Sequence, residues 1–405
     1  MAIVFSATDH AHMAQALRLA ERGLYTTQPN PRVGCVIAHG EAVVGAGWHE
    51  RAGAAHAEVV ALAAAGTRAR GAAAYVTLEP CAHFGRTPPC ADALIAAGIA
   101  RVVAAAADPN PRVDGRGFEK LRAAGIVVES GLMRDAAREL NRGFFSRIER
   151  GRPWVRIKLA MSVDGRTALS SGASQWITGE AARADVQHWR ARSSAILTGS
   201  GTVLADDPRL TVRDPRLATS ANFPSSESSF AGAEGRGEGE TPRGATTPET
   251  SERSAKGFSP LRVVLDGNLR TPRGARVLDG SAPTLIVHAP GRLGTDDRFA
   301  AAELAAFGTD ARGEIDLAAL LRLLAARGIN ELQVEAGATL CGALQAADLV
   351  DELLLYVAPV LLGDGGRPLL VLPPPASVAA GRRLHLFDQR LIGGDQRLLY
   401  RCNPL

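Results

Sequence analysis

The sequence predicts an α/β protein with two domains. Strands alternate with helices from about residue 33 to residue 146, which is the pattern of a layered α/β domain. After a charged, proline-containing stretch at 148–153, the pattern begins again with a strand. The chain has 405 residues, of which 46% are hydrophobic, and this is enough for two separate cores. We therefore expect one domain over residues 1–150 and a second over residues 151–405.

Apolar spacing and turn residues predict the elements of the first domain. Met13, Leu17 and Leu24 share one face of a helix over 9–24 that Thr8 is placed to cap. Asn30 lies in an Asn-Pro turn, where it either reaches a substrate or holds an Asx turn. The other expected elements are strands at 33–38, 42–47, 75–78, 101–106 and 126–128, helices at 56–65, 115–124 and 132–146, and a helix that opens near Pro88.

Four residues of the first domain have the chemistry of a metal site. They are His56, Glu58, Cys81 and Cys90, in the segments A-H-A-E and L-E-P-C-A-H-F-G-R-T-P-P-C. One imidazole and two thiolates suit zinc, and three protein ligands leave its fourth position open for water. Because residues two apart cannot share a helix face, we expect His56 and Glu58 at a helix start, with Glu58 facing the open position. Zinc lowers the pKa of bound water to about 7, and the carboxylate then carries that proton to a leaving group.

Two other arrangements of these residues stay open. His83, between the two cysteines, would complete a closed structural zinc site, although such sites usually pair cysteines at closer spacing. Cys81 and Cys90 would alternatively form a disulfide, but the chain has five cysteines, an odd number, and its N-terminus lacks the pattern of a signal peptide. Glu58 has a role only in the open, catalytic site.

The second domain is predicted to begin with a strand at 154–162. Thr178 is placed to cap a helix that runs to about Arg190. The other expected elements are strands at 194–198, 284–288, 332–335, 353–358 and 396–401 and a helix at 316–327.

Glycines follow three strands of this domain. Strand 194–198 runs into G-S-G-T, strand 332–335 delivers Glu335 and Gly337 to a helix start, and a third strand ends at Asp266-Gly267. A strand followed by glycines and a helix start is the arrangement by which backbone amides hold a phosphate. Two such junctions suit a dinucleotide. The alternative is that the glycines only make tight turns.

The segment at about 215–259 differs from the rest of the second domain. It is rich in Ser, Gly, Glu and Pro and has almost no residues to bury, so it cannot offset the entropy of ordering. We expect a disordered low-complexity insertion within the second domain.

The composition argues against a nucleic-acid or membrane protein. The net charge is only +4, aromatic residues make up 5%, and basic clusters with interleaved aromatics are absent from the sequence. A nucleic-acid-editing protein would need such a track. No uncharged apolar run reaches the roughly 18 residues of a membrane span. We expect a cytoplasmic protein with reduced thiols.

The motifs of both halves resemble one family. H-x-E and P-C are typical of zinc deaminases, although eight residues, not two, separate the cysteines. This spacing resembles the deaminase half of the bifunctional riboflavin-biosynthesis family RibD. K-L-A-M-S-V-D-G-R-T, S-G-A-S-Q-W-I-T-G, A-I-L-T-G-S-G-T-V-L-A-D-D-P-R-L-T-V-R and V-E-A-G-A-T-L-C-G-A resemble its reductase half. The resemblance covers nearly the whole chain apart from the insertion. It implies a cytidine-deaminase-like three-layer α/β/α domain followed by a dihydrofolate-reductase-like α/β domain.

The resemblance also implies two reactions and their cofactors. Zinc-dependent hydrolysis removes the 2-amino group of 2,5-diamino-6-(5-phosphoribosylamino)pyrimidin-4-one, and NADPH then reduces the ribosyl group to ribityl. Zinc is held by His56, Cys81 and Cys90, with Glu58 as proton shuttle. The implied ligand is a small phosphorylated pyrimidine. Whether the chain forms a homo-oligomer stays open.

By the same resemblance, two sets of residues bind in the reductase half. The NADPH contacts are Ala160, Trp176, Thr202, Asp206, Gly267, Gly337, Ala338, Thr339, Leu340, Cys341, Gly342 and Ala343. The substrate contacts are Ser174, Arg190, Leu210, Arg213 and Glu335. Arg190 and Arg213 offer forked donors suited to the substrate phosphate. Asp206 and Glu335 are candidates for proton transfer, and Trp176 has core packing as its alternative role.

Overall fold

A computed structural model describes residues 4–82, 88–111, 113–218, 259–291, 297–309 and 313–402. The elements of the first half are α1 (Ala7–Glu21), β1 (Gly34–His39), β2 (Ala42–Trp48), α2 (Ala57–Ala65), β3 (Ala73–Val76), α3 (Cys90–Ala96), β4 (Arg101–Ala104), α4 (Arg116–Ala123), β5 (Val127–Ser130), α5 (Arg134–Leu140) and α6 (Arg142–Arg150). The strands form a five-stranded sheet in the order β2-β1-β3-β4-β5. β1 is antiparallel to both of its neighbours, β2 at the edge and β3, while β3, β4 and β5 are parallel to one another.

Helices cover both faces of this sheet. Successive side chains of a strand point to opposite faces, so Cys35 and Ile37 of β1 pack in one core and Val36 and Ala38 in another. The first core includes residues of α2, α3 and α4, and the second includes residues of α1, α5 and α6. This is the three-layer α/β/α arrangement that the family resemblance implies.

The elements of the second half are β6 (Trp154–Ser162), β7 (Arg166–Ala168), α7 (Glu180–Arg192), β8 (Ala195–Gly199), α8 (Ser200–Asp206), α9 (Pro215–Ala218), β9 (Leu261–Leu265), β10 (Thr284–His288), β11 (Glu303–Ala306), α10 (Leu317–Ala326), β12 (Glu331–Val334), α11 (Ala338–Ala346), β13 (Glu352–Ala358), β14 (Arg367–Pro368), β15 (His385–Ile392) and β16 (Asp395–Arg401). Nine of these strands form one sheet in the order β11-β10-β9-β8-β12-β6-β13-β16-β15. The change of sheet between β5 and β6 brackets the boundary expected at residue 150, which stays a prediction.

The central strands of the second sheet are parallel. β9, β8, β12 and β6 are neighbours that run in the same direction, so their C-terminal ends lie side by side at one edge of the sheet. In open α/β sheets this edge is where ligands bind. The three glycine junctions of the sequence therefore meet at one place, although they are far apart along the chain.

Several predicted boundaries are wrong by a few residues. Ser6 and not Thr8 caps α1, because its hydroxyl accepts from the Asp9 amide while the Asp9 carboxylate accepts from the Ser6 amide. Gly179 and not Thr178 precedes α7, and its amide donates to the Asp395 carboxylate at 2.7 Å. The single helix expected at 132–146 is two helices, α5 and α6, that meet at a bend.

The expected insertion at about 215–259 lies almost entirely outside the described residues. Its first four residues form α9. His83, the alternative fourth zinc ligand, also lies outside the described residues. Within the described part of the chain, every helix is too short or too polar to cross a bilayer.

Candidate functional site

The predicted zinc ligands converge at the start of two helices. His56 is the N-cap residue of α2 and Cys90 is the first residue of α3. Cys81 follows the end of β3. The His56 Nδ1 lies 3.2 Å from the Cys90 Sγ and 3.7 Å from the Cys81 Sγ. All three ligand atoms lie within 4.8 Å of one another.

This donor set fits a zinc ion. Bonds of about 2.0–2.1 Å to nitrogen and 2.3 Å to sulfur in a tetrahedron place such atoms roughly 3.6 Å apart. The distances from His56 to the two sulfurs lie near that value. The Cys81 sulfur also accepts a hydrogen bond from the Cys90 amide at 3.3 Å. Hydrogen bonding from the Cys90 thiol lowers the pKa of the Cys81 thiol, although burial opposes this, and a lowered pKa favours the thiolate form that binds metal.

Glu58 lies beside the ligands and not among them. It is in the first turn of α2, and only 3% of it is exposed. Burial raises the pKa of its carboxyl to about 7. A carboxyl whose pKa is near the working pH can both accept and release a proton. The expectation that Glu58 faces the site from a helix start agrees with this geometry.

A cavity of about 460 Å³ opens onto these groups. Its lining includes His56, Glu58 and Cys81 together with Asn30, which the sequence left between two roles. The Asn30 amide nitrogen donates to the Nε2 of His49 at 3.1 Å, because the His49 Nδ1 donates to the Ala55 carbonyl at 3.0 Å. Asn30 thus faces the cavity and is held by a histidine.

Sequence reasoning missed several residues of this cavity. The structure adds His49, Glu79, Asp108, Asn110 and Arg147 to its lining. Two signals were available, since Glu79 lies in the quoted L-E-P-C segment and the sequence D-P-N-P at 108–111, which contains Asp108 and Asn110, follows the strand β4. His49 and Arg147 come from segments without a motif.

In the second half, the expected binding residues surround the shared strand edge. Gly199 at the end of β8 precedes α8, and Gly337 after β12 is the N-cap of α11. Among the described residues, no side chain caps the first amides of either helix, so these amides are available to a phosphate. A Cβ atom added at Gly201, Gly267 or Gly337 would meet no described atom within 4 Å, so the space beside each of these glycines is open.

Arg190 and Glu335 form the main ion pair of this site. The Arg190 Nε and Nη2 each donate to a Glu335 oxygen at 2.7 Å, and its Nη1 donates to the Thr211 carbonyl at 3.0 Å. Burial disfavours the charge on Glu335, but Arg190 outweighs it and lowers the pKa of Glu335 to about 2. The structure changes the expected role of Arg190, because Glu335 already occupies its fork. It also makes Glu335 a weak candidate for proton transfer.

The other expected substrate contacts differ in exposure. Arg213 is exposed, and its backbone amide donates to Gln187. The Ser174 hydroxyl donates to the Asp206 carboxylate at 3.4 Å, so these two residues lie together. Leu210 is 1% exposed and packs in a core cluster, so a contact between Leu210 and the substrate would come from its backbone.

The expected NADPH contacts also divide into accessible and buried residues. Trp176 is 69% exposed and stacks with Arg183, so the alternative of core packing is wrong. Cys341 and Gly342 are buried, and a Cβ at Gly342 would lie 2.0 Å from the Val371 carbonyl oxygen. Both residues are packed against the protein, so a contact with NADPH would come from their backbone. The remaining ones, none of them fully buried, are Ala160, Thr202, Asp206, Gly267, Gly337, Ala338, Thr339, Leu340 and Ala343.

Lys158 is a further residue that sequence reasoning missed. It lies on β6 two positions before Ala160, so both side chains point to the same face. Its Nζ lies 5.7 Å from the centre of the Tyr356 ring. Burial lowers the pKa of Lys158, and the charge of Glu335 opposes this shift. The sequence K-L-A-M-S contained this signal, but the lysine was not singled out.

Comparisons with known proteins agree with both halves. Residues 6–106 match the model of the cytidine and deoxycytidylate deaminase zinc-binding region, and residues 153–390 match the RibD C-terminal domain. The riboflavin biosynthesis protein RibD of Escherichia coli K12 is 46% identical over 388 residues, which cover 96% of this chain and 97% of that protein. RibD of Haemophilus influenzae is 45% identical, with 98% of each chain covered.

Solved structures give the same result. One structure of Acinetobacter baumannii RibD superposes with a TM-score of 0.81 at 40% identity, covering 97% of this chain and 98% of that one. A Thermotoga maritima protein described as a diaminohydroxyphosphoribosylaminopyrimidine deaminase and 5-amino-6-(5-phosphoribosylamino)uracil reductase gives 0.77 at 28% identity, covering 97% and 98%. The predicted fold class and the predicted cofactors, zinc and NADPH, are confirmed. The chain belongs to the RibD family of bifunctional deaminase–reductases of riboflavin biosynthesis.

Proposed function

We propose that this chain catalyses two successive steps of riboflavin synthesis at two separate sites. The first site hydrolyses the 2-amino group of 2,5-diamino-6-(5-phosphoribosylamino)pyrimidin-4-one. The second reduces the ribosyl group of the product to give 5-amino-6-(5-phosphoribitylamino)uracil. The observation that carries the proposal is the meeting of three zinc-type donor atoms with the buried carboxyl of Glu58 in one cavity.

In the first site the chain binds the pyrimidine and moves a proton. His56, Cys81 and Cys90 hold the zinc, which when bound lowers the pKa of water to about 7. Glu58 takes the proton that the nucleophile gives up and passes it to the departing amino group, which leaves as ammonia. The side chain of Asn30, which lines the same cavity and is bonded to His49, offers hydrogen bonds to the substrate.

In the second site the chain positions two ligands. NADPH supplies the hydride when bound. The free amides at the starts of α8 and α11 bind its phosphates, and the shared edge of β9, β8, β12 and β6 places it. Arg190 holds Glu335 ionised, so this carboxylate accepts hydrogen bonds from ribose hydroxyls and does not serve as an acid. Arg213 binds the substrate phosphate.

Product analysis tests this proposal directly. Purified chain is incubated with the diaminopyrimidine phosphate, with and without NADPH, and the products are identified by mass spectrometry. Without NADPH we expect replacement of one amino group by oxygen. With NADPH we expect two further hydrogens. An unchanged substrate under both conditions would refute the proposal.

Location and partners are finer points of the same proposal. All five cysteines are free thiols, which supports a reducing, cytoplasmic compartment. We propose small molecules as the ligands and no nucleic acid, and filter binding with tRNA tests this. The exposed Leu386, Phe387 and Leu391 on the edge strand β15 favour a homo-oligomer, which light scattering tests.

A further inference from the structure

The cavity of the first site has an arginine at its wall that the deamination chemistry does not use. We propose that Arg147 binds the phosphate-bearing end of the pyrimidine substrate in the first site, and that Asn330 of the second half positions it. This inference rests on the proposed deaminase function. It assigns a specificity role to one residue and a positioning role to another that lies 183 positions away in sequence.

Arg147 is placed to meet a ligand. It lies three residues after Phe144 on α6, on the same helix face, and both residues line the cavity. The guanidinium carbon lies 5.7 Å from the centre of the Phe144 ring. Among the described residues that line the cavity, Arg147 is the one arginine or lysine. A dianionic phosphate entering this cavity would meet the cation of Arg147 there.

A single hydrogen bond fixes the Arg147 side chain and leaves its outer nitrogens for a ligand. Its Nε donates to the Asn330 Oδ1 at 2.6 Å. Within the described part of the chain, Nη1 and Nη2 have no protein partner. A guanidinium that presents two parallel N–H groups is matched to two oxygens of a phosphate.

The other contacts of Asn330 determine which way its amide faces. Asn330 is 3% exposed, and its Nδ2 donates to the Gln28 Oε1 and to the Pro29 carbonyl, each at 2.8 Å. Because both of these partners are acceptors, the Oδ1 has to face Arg147. Pro29 also lines the cavity. Asn330 therefore holds two parts of the cavity wall from the second half of the chain.

The acidic groups of the cavity favour a cation beside an anionic substrate. Glu58, Glu79 and Asp108 all line the cavity. The Glu79 carboxylate is balanced, since it accepts four backbone amides between Asp108 and Phe118. In the part of the chain that the structure describes, Arg147 and Asp108 form no hydrogen bond or ion pair, although their charges interact. The guanidinium thus remains free to offset the charge of the phosphate.

The first test replaces Arg147 in the full-length, zinc-loaded chain. Arg147→Gln should raise the deaminase KM for the phosphorylated pyrimidine by roughly 10- to 100-fold and change kcat by less than about threefold, as expected for lost binding of a charged group. Arg147→Lys should restore part of the affinity. The dephosphorylated pyrimidine nucleoside should have the same KM with wild type and with Arg147→Gln.

Arg138→Gln is the matched control. Arg138 lies on the preceding helix, pairs with Glu149 and is absent from the cavity lining, so this variant should keep the KM of wild type. If wild type does not release ammonia from the phosphorylated substrate, the proposed function fails. If wild type is active but Arg147→Gln keeps its KM, only the present inference fails.

The second test asks whether Asn330 acts through Arg147. Asn330→Ala should raise the deaminase KM and leave reduction of the deaminated substrate at the wild-type rate. In the Arg147→Gln background it should add no further increase. An equal, independent increase in both backgrounds would contradict the positioning role. A thermal melt identifies a variant that does not fold. If Asn330→Ala does not fold, the KM of Arg147→Gln alone tests the phosphate-binding role of Arg147.

Discussion

The two active sites of this chain are built in different ways. The first is made of side chains, with three metal-type donor atoms within 4.8 Å and a buried carboxyl beside them. The second is made largely of backbone, where parallel strands end at glycines and helices begin. A site made of side chains fails when one side chain is changed. A site made of backbone tolerates many single substitutions and loses affinity in small steps.

A buried charge network joins the two regions. Glu331 at the start of β12 is 1% exposed and pairs with Arg32 of the first half at 3.0 Å. It also pairs with Arg156 and Arg192 of the second half, each at 3.0 Å. Asn330, next to it, forms hydrogen bonds with Arg147 and Pro29, which line the cavity of the first site. The two sites thus have different construction but share one support.

The largest effect is expected from loss of a zinc ligand. Cys90→Ser should abolish zinc binding and deamination, because a hydroxyl is a poor replacement for a thiolate on zinc. It should spare NADPH oxidation when deaminated substrate is supplied. Metal analysis, ammonia release and absorbance of NADPH check the three outcomes. Loss of both activities would show that the sites are not independent.

The next largest effect is expected from the proton carrier. Glu58→Gln should retain zinc while deamination falls by about 10²- to 10⁴-fold, since the amide keeps the shape of the carboxyl but cannot carry the proton. Steady-state ammonia release and metal content measure this. His56→Ala serves as comparison, because it should lose zinc as well. Deamination at the wild-type rate in Glu58→Gln would remove Glu58 from the mechanism.

The role of the Glu331 charge network is tested by the change in the free energy of unfolding when Glu331 is replaced. Glu331→Gln should destabilise the fold by about 3–5 kcal/mol, because it leaves buried arginines without their counter-charge. Urea unfolding followed by circular dichroism measures this. Glu303→Gln is the control, since its exposed pair with Arg327 should contribute at most about 1 kcal/mol. Equal effects of the two variants would contradict the role of Glu331.

The buried carboxylate of Glu331 also predicts that the free energy of unfolding depends on pH. Burial disfavours its charge, but the surrounding arginines outweigh burial and hold the pKa of Glu331 well below its usual range. A lowered folded-state pKa stabilises the fold above the unfolded-state pKa of about 4.3 and loses this contribution as the pH falls. The difference between wild type and Glu331→Gln should therefore shrink below about pH 4. A constant difference across this range would be inconsistent with an ionised Glu331.

The smallest effect is expected in the backbone-built site. Arg213→Ala should raise the reductase KM for phosphorylated substrate by roughly tenfold, because one exposed arginine contributes only part of the phosphate contacts. Arg216→Ala is the control, since Arg216 is exposed and pairs with Asp214. An unchanged KM in Arg213→Ala would assign Arg213 to the surface.

The sequence predicted the side-chain site more completely than the backbone site. His56, Glu58, Cys81 and Cys90 lie in two short motifs whose residue types have few other uses. Arg147 lies in no motif, and Asn330, the residue that positions it, comes from a distant segment of the chain. Local spacing cannot report such a contact.

In the second half, the glycine junctions were predicted, but the burial and the ion pairs of the side chains were not. Tertiary packing decided that Leu210 and Gly342 are buried and that Glu335 occupies the fork of Arg190. The strand β15 was missed because most of its residues are exposed, so it lacks the alternation of a half-buried strand.

The central claim is that the first site holds zinc with three protein ligands and an open fourth position. X-ray absorption spectroscopy of the zinc-loaded, purified chain tests it most directly. We predict two sulfur ligands, scattering from a single imidazole and one further light atom. Absence of bound zinc, or scattering from a second imidazole, would contradict this account, because a fourth protein ligand would close the position that the hydrolysis requires.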